Sequence, residues 1–464
     1  MLMGSFNSSS HHQYPQPQPN EDNTSTTNTN TITTTTTASS DLVVVHDDDI
    51  DELGLGINNP LQPQPPQQQQ QQPQYPIINN PIQMRQLVTR CADLISHSDL
   101  TAAHRLISIL SANSSPYGDS MERLLHQLSK ALLHQIQIIQ NQNPIDHYYD
   151  LEALHSSYLT LNQITPFIRF CHLTANQAIL EVIDHTQHHS LHIIDFDIMH
   201  GLQWPPFMQA LSERHPMLRL RITATGTDLS LLRRTGDRLL RFAQSLGLHF
   251  QFQPFLLPRN HPPHLIINAL ISSGGTSSSR AKDDDEALAV NCVLYLQRVV
   301  AKEEVEMFLN SIKGVLNPTV VTIAERCISR YYLDGALEHY SAIFESLEAT
   351  LPPNSRERVE VEQVWLGREI MEVMKMMRNG SSNNENEINI EDEDHDHVVN
   401  NNNYDVVIGR CGFENVALSP FAVSQAKLLL RLHYPSEGYH LHILNNSLFL
   451  SWQNRPLFSV SSWH

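Results

Sequence analysis

Residues 191–211, reading LHIIDFDIMHGLQWPPFMQAL, restrict the fold more than any other stretch. Leu191, Ile193 and Ile194 form an apolar run too short for a helix, and the run ends on Asp195 and Asp197. A short apolar run bounded by polar residues suits a buried parallel strand. Gly201 and Trp204-Pro205-Pro206 follow, then Phe207, Met208, Ala210 and Leu211. Pro206 stands in the first turn of the helix those residues predict, where proline is tolerated. Strand, acidic turn, glycine and helix make the opening of a Rossmann-type unit, whose ligands bind beyond the carboxyl ends of the strands. Both aspartates fall there. The expected fold class is α/β, with a doubly wound, mostly parallel sheet.

The flanks add to this. Met84, Leu87, Val88, Cys91, Leu94 and Ile95 recur at helical spacing, and Ser98 or Asp99 can cap a second helix bearing Ala103, Leu106, Ile107 and Leu110. Pro116-Tyr117-Gly118-Asp119 breaks the pattern before a third helix with Met121, Leu124, Leu125, Leu128 and Leu132. Residues 151–186 read as helical with a break at Thr165-Pro166. Strands are expected at 218–223, 249–252, within 287–300 and at 319–324, with helices at 235–247 and 302–316 between them. This βαβ alternation with short loops is the pattern of a doubly wound sheet. Near the end, Tyr439–Leu444 and Leu448–Trp452 alternate around Asn445-Asn446, the signature of a hairpin with positive-φ turn residues. A last strand spans 455–463. An antiparallel hairpin that finishes a parallel sheet resembles the closing pattern of S-adenosylmethionine methyltransferase folds, and the leading helices are expected to form an N-terminal helical cap on that sheet.

Residues 1–80 are rich in Ser, Thr, Asn, Gln and Pro, with homopolymers at 33–37 and 67–72. They cannot bury enough apolar surface to offset ordering entropy, so disorder is expected there and in the Asn- and acid-rich insert 379–403, while the Ser-rich acidic stretch 274–285 reads as an extended, mobile loop. The acidic-apolar island 41–53 reads equally as a docking segment or as linker. The five cysteines are odd in number and widely spaced, without a C-x-x-C, so neither a disulfide framework nor a zinc site is expected. No run reaches transmembrane length and no signal peptide is recognisable. The net charge of −19 argues against a chain that grips nucleic acid by its own phosphate contacts. Arg219, Arg221, Arg233, Arg234, Arg238 and Arg241 are a local exception, which reads first as a solvated face. His185, His188, His189 and His192 straddle a helix end and a strand start, so their rings need not converge on a metal.

LHIIDFDIMHGLQWP closely resembles the central motif of the GRAS family of plant transcriptional regulators, usually read VHIID, with Leu191 in place of the valine. The resemblance runs from about residue 83 to the C-terminus, and its wording is most similar to the lateral-suppressor, scarecrow-like branch. On it, 82–143 is a first leucine-rich region and 160–227 the VHIID region with its core at 191–195. Residues 233–265 then form a second leucine-rich region, 287–375 a PFYRE region (Pro318, Tyr340, Phe344, Arg368, Glu369) and 406–464 a SAW region, in one domain from 81 to 464. Asp51-Glu52-Leu53-Gly54 only partly echoes the DELLA hallmark of another branch.

The family implies a nuclear regulator acting through protein contacts, although no dense basic import signal is present. The implied partners are DNA-binding proteins such as zinc-finger proteins and other family members, in homo- or heterodimers. Contact with DNA would be indirect, and neither cofactor nor membrane is implied. The branch implies a role in axillary meristem initiation. Candidate partner-binding residues are Leu191, His192, Ile193, Ile194, Asp195, Arg368, Glu369, Trp452 and Trp463, with Met121, Leu124 and Leu125, one change from an L-x-x-L-L motif. An S-adenosylmethionine-binding protein is the alternative, with Asp195, Asp197, Gly201 and Asp228 as a vestigial ligand site. Phe196, Ile198 and Met199 crowd the loop where such a site needs glycines. Direct DNA binding through the arginines is a third reading.

Overall fold

The computed structural model describes residues 77–78, 80–140, 150–186, 188–257, 263–272, 286–299, 302–328, 333–381 and 403–464. The tail up to residue 76, its acidic island, the loop 274–285 and the insert lie outside the described residues, save that 379–381 finish one helix and Asn403 opens another.

Five helices lead: α1 (Pro81–Ser96), α2 (Leu100–Ala112), α3 (Ser120–Ile139), α4 (Leu151–Ile164) and α5 (Phe167–Asp184). Then come β1 (Ser190–Asp195), α6 (Trp204–Arg214), β2 (Arg219–Gly226), α7 (Leu229–Ser245), β3 (Phe250–Leu256), α8 (Pro263–Ser272), β4 (Glu286–Val293), α9 (Lys302–Ser311) and β5 (Val320–Arg326). The chain continues through α10 (Leu333–Thr350), α11 (Arg356–Glu360), α12 (Gly367–Ser381), α13 (Asn403–Arg410), β6 (Asn415–Val416) and α14 (Pro420–His433). It ends on β7 (Tyr439–Leu444), β8 (Ser447–Trp452) and β9 (Arg455–Trp463).

One sheet runs β3-β2-β1-β4-β5-β9-β8-β7, with β6 paired to β9. The strands β1 to β5 are mutually parallel in the Rossmann order 3-2-1-4-5. The chain then departs from that order. β9 runs antiparallel to β5, and β8 and β7 continue the antiparallel meander outward. Both expected turn residues have positive φ, 47° at Asn445 and 64° at Asn446. A second turn of the same kind at Gln453 and Asn454, with φ 46° and 68°, joins β8 to β9.

A parallel sheet must be covered on both faces, and successive residues of β1 show how. Ile193 points into a cluster with α5, α6 and α7, while Ile194 points into one with α8, α9 and α13. A third cluster fills the cap. It is not purely N-terminal: residues of α10, of the π-helical turn Val361–Leu366 and of α12 share it with α1 to α5. A charged group at that junction is buried with them. The Arg123 guanidinium on α3 donates through Nε to Glu362 at 2.9 Å, and both side chains are 2 % exposed. Asp119 caps α3 in a reciprocal box with Glu122, and Asp99 caps α2. The helix expected at 235–247 starts six residues earlier, at Leu229, and closes on Gly247 at φ +69°.

Candidate functional site

The crevice beyond the carboxyl ends of β1, β2 and β4 is where a sheet of this order presents its ligand site. Here it is occupied by the chain's own side chains. Asp195, the last residue of β1, is 4 % exposed. Its Oδ2 accepts the indole N–H of Trp204 at 2.8 Å, and its Oδ1 accepts from Asn291 Nδ2 on β4 at 2.8 Å. Asn291 Oδ1 in turn accepts from Gln203 Nε2 at 3.0 Å and from the Thr322 hydroxyl of β5 at 2.9 Å. Asn176 on α5 donates to the Gln203 carbonyl at 2.8 Å. The network thus joins β1, β4, β5 and α5 to the start of α6. Burial pushes the Asp195 carboxyl up to about 7, opposed by the hydrogen bonds from Asn291 and Trp204.

The loop that follows turns its backbone donors inward as well. Phe196 N donates to the Asn291 carbonyl at 3.0 Å, Asp197 N to Thr225 Oγ1 at 2.9 Å and Ile198 N to the Thr225 carbonyl at 3.1 Å. Phe196 is fully buried against Tyr295 and Phe308. Gly201 serves packing: at φ +58°, a Cβ there would lie 2.8 Å from Thr235 Cγ2 on α7. Asp228, placed by the sequence in the vestigial ligand site, is the N-cap of α7 and accepts from the Ser230 and Leu231 amides at 2.8 and 3.2 Å. Asp195, Asp197, Gly201 and Asp228 therefore do share one end of the sheet, but the geometry uses them to hold loop and helix.

Around this crevice α4 meets the core. The rings of His155 and His200 lie 5.4 Å apart, and Tyr158 stacks on His200 and lies tilted against Trp365. Burial lowers His155, and takes His200 down to about 4 with further lowering from His155 and Arg238. Next to it, α7 turns Arg233, Arg234, Arg238 and Arg241 to solvent. Arg238 donates to the His200 carbonyl. Arg233, Arg234 and Arg241 form no ion pair among the described residues.

The residues proposed as a partner surface mostly lie elsewhere than at a surface. Leu191, Ile193 and Ile194 are fully buried in the centre of the sheet, as the apolar run required. His192 is 2 % exposed, with Nε2 2.8 Å from Thr223 Oγ1, and burial lowers it to about 3. Leu124 and Leu125 are core, and Met121 packs half-buried against the same cluster. Trp452 and Trp463 are each 2 % exposed; they belong to strands with neighbours on both sides. Glu369 is paired with Arg326 beside a cavity of about 10 Å3, room for one water molecule. Arg368 is half-buried, with its side chain 40 % exposed and Glu372 as its partner at 2.9 Å. A surface made directly of the buried members is thereby corrected: their side chains are occupied by the core.

Sequence reasoning passed over Trp204, Gln203, Asn291 and Thr322. Asn291 carried a readable signal, since it interrupts the apolar strand ALAVNCV and a buried amide must find partners. No helix among the described residues is long and apolar enough to cross a membrane.

The GRAS domain family model matches residues 84–464. Scarecrow-like protein 18 of Arabidopsis thaliana is 43 % identical over 428 residues, covering 82 % of this chain and 91 % of that protein. Protein MONOCULM 1 of Oryza sativa subsp. japonica is 41 % identical, covering 82 % and 88 %. The crystal structure of SCL7 from Oryza sativa superposes with a TM-score of 0.61 at 30 % identity, over 82 % of this chain and 99 % of that one. The buried LHIID strand, the antiparallel closure by β7, β8 and β9, and these matches agree: the chain belongs to the GRAS domain family.

Proposed function

We propose that the chain is a plant transcriptional regulator that acts by holding protein partners rather than by catalysing a reaction. The observation that carries this is the filled crevice: both Asp195 oxygens and the amides of residues 196–198 are spent inside the fold. Its partners are DNA-binding proteins, zinc-finger proteins among them, and other members of the family, so that DNA is reached through the partner in the nucleus. Within that reading the developmental role is axillary meristem initiation, as the lateral-suppressor resemblance implies. The partner surface is the outer face of the cap, where Ile82, Tyr117, Leu133 and Leu159 are exposed. Leu124, Leu125 and Trp452 belong to the core cluster beneath it and fix its shape, and Arg368 contributes at its margin.

The test is a reporter driven by a zinc-finger partner's DNA site in plant cells. Output should change only when both proteins are present. Output unchanged by this chain, with the complex absent on co-purification, would sink the reading. Calorimetric titration of S-adenosylmethionine into the purified protein is the complementary check; micromolar binding would reopen the methyltransferase-like alternative.

One observation favours direct DNA contact as a second reading. The acidic excess is unevenly placed: residues 1–76 hold eight acidic residues and 382–402 hold seven, and neither segment has a Lys or Arg. The rest of the chain is therefore much closer to neutral than −19 implies, and Arg233, Arg234 and Arg241 of α7 form no ion pair among the described residues. Substituting Arg233 and Arg234 together should abolish DNA binding, since it removes the phosphate contacts this reading needs; a double variant that binds DNA like the parent eliminates this reading.

A further inference from the structure

Among the described residues the sheet has two edges, β3 and β7. β3 carries Pro254, a residue that blocks strand addition. β7, reading YHLHIL, has no proline, lysine or bulge. Leu444 and Ser447 face each other across the two-residue turn, so the residues bonded to β8 are Leu444, His442 and His440. The backbone N–H and C=O groups of Leu441 and Ile443 therefore point away from the sheet, and no hydrogen bond from another described element ends on them.

The side chains along this edge are sorted by face. Leu441 is half-buried and Ile443 is 57 % exposed, and both stand on one face. His440 and His442 stand exposed on the other. The surroundings are basic in an otherwise acidic chain. Between Ala417 and His464 the one acidic residue is Glu437, whereas α14, which packs beside β7, exposes Lys427, Arg431 and His433.

We propose that the β7 edge is a docking site that takes an extended acidic segment of a partner protein as a further strand of the sheet. Its apolar residues lie over Leu441 and Ile443, and its acidic residues lie beside His440 and His442. Backbone pairing supplies affinity in this mode and the alternating side chains supply selection. A second copy of this chain fits less well, because it would bring the same Lys427 and Arg431 surroundings and no acidic partner for them. The site is separate from the cap surface proposed above and does not depend on it.

The probe is a fluorescein-labelled Glu-Val-Glu-Val-Glu-Val-Glu peptide, with its Lys-for-Glu counterpart as control, titrated into the full chain by anisotropy. The Glu peptide should bind saturably and the Lys peptide about tenfold more weakly, with exchange of the 439–444 amides slowed only by the former. Ile443→Pro removes an outward N–H and no ladder bond, so the hairpin survives; it should weaken binding about tenfold, the size of one hydrogen bond. His440→Glu should weaken it too. Equal binding of both peptides, or unchanged exchange at 439–444 in the parent protein, overturns the proposal. So does a folded Ile443→Pro variant that binds normally. A parent dimer that Ile443→Pro converts to monomer also overturns it, since a second copy then holds the edge.

Discussion

Asparagine in place of Asp195 keeps the side chain's shape and removes its charge. In the folded protein that carboxyl is pushed up to about 7 by burial, against about 3.9 in an unfolded chain. Between those values the folded protein keeps a proton that the unfolded chain has released. The stabilisation from this group is therefore full below about pH 4 and is lost as the pH rises through about 7. Linkage across the window from about pH 5 to about pH 8 gives a fall of about 2.5 kcal/mol. The Asp195→Asn variant does not titrate and lacks that fall. Its single acceptor oxygen can serve only one of the two donors, Trp204 Nε1 and Asn291 Nδ2, which costs about 1–3 kcal/mol. The parent should thus be the more stable protein near pH 5, and the two should converge towards pH 8. Urea unfolding followed by tryptophan fluorescence across that window measures it. Glu362, raised to about 7, and Asp405, raised to about 6, titrate in both proteins and cancel in the difference. A stability difference that stays constant with pH would refute the placement of a buried, raised carboxyl in this network.

Three further outcomes follow from the packing. Arg123→Leu leaves the buried Glu362 without its closest partner and should cost about 3–5 kcal/mol in thermal or urea unfolding; Glu362→Gln in the same chain should recover part of it. Asp228→Ala removes the α7 cap and should cost about 1 kcal/mol, with amide exchange rising first at residues 229–232. Asn446→Val forces a β-branched residue to φ 64° and should cost about 1–2 kcal/mol, read as a lower urea midpoint; an unchanged midpoint would remove the positive-φ turn from the account.

What could be read from the sequence was whatever local chemistry decides. The apolar run at 191–194, the Thr165-Pro166 break, the Asn445-Asn446 turn and the Gly247 helix end each depend on a few adjacent residues, and each sits where expected. The start of α7 was missed because Asp228 was read as a ligand acceptor, when the same carboxylate is a good N-cap. The buried network was not readable, because Asp195, Trp204, Asn291 and Thr322 come from four separate elements. The same holds for Arg123 and Glu362, which are 239 residues apart. The leucines of Met121–Leu125 carried two meanings at one spacing, core and docking. Only the closure of the cap by α10 and α12, far along the chain, decides for core.

β9 lies between β5 and β8, with Val321 opposite Trp463 and Leu448 opposite Val460. Synthesis must therefore reach the last strand before β5 has its outer neighbour and before β8 has its second ladder partner. Until then the nascent parallel sheet exposes a raw β5 edge, so premature termination within the last strand would leave an aggregation-prone chain, not a slightly shortened regulator.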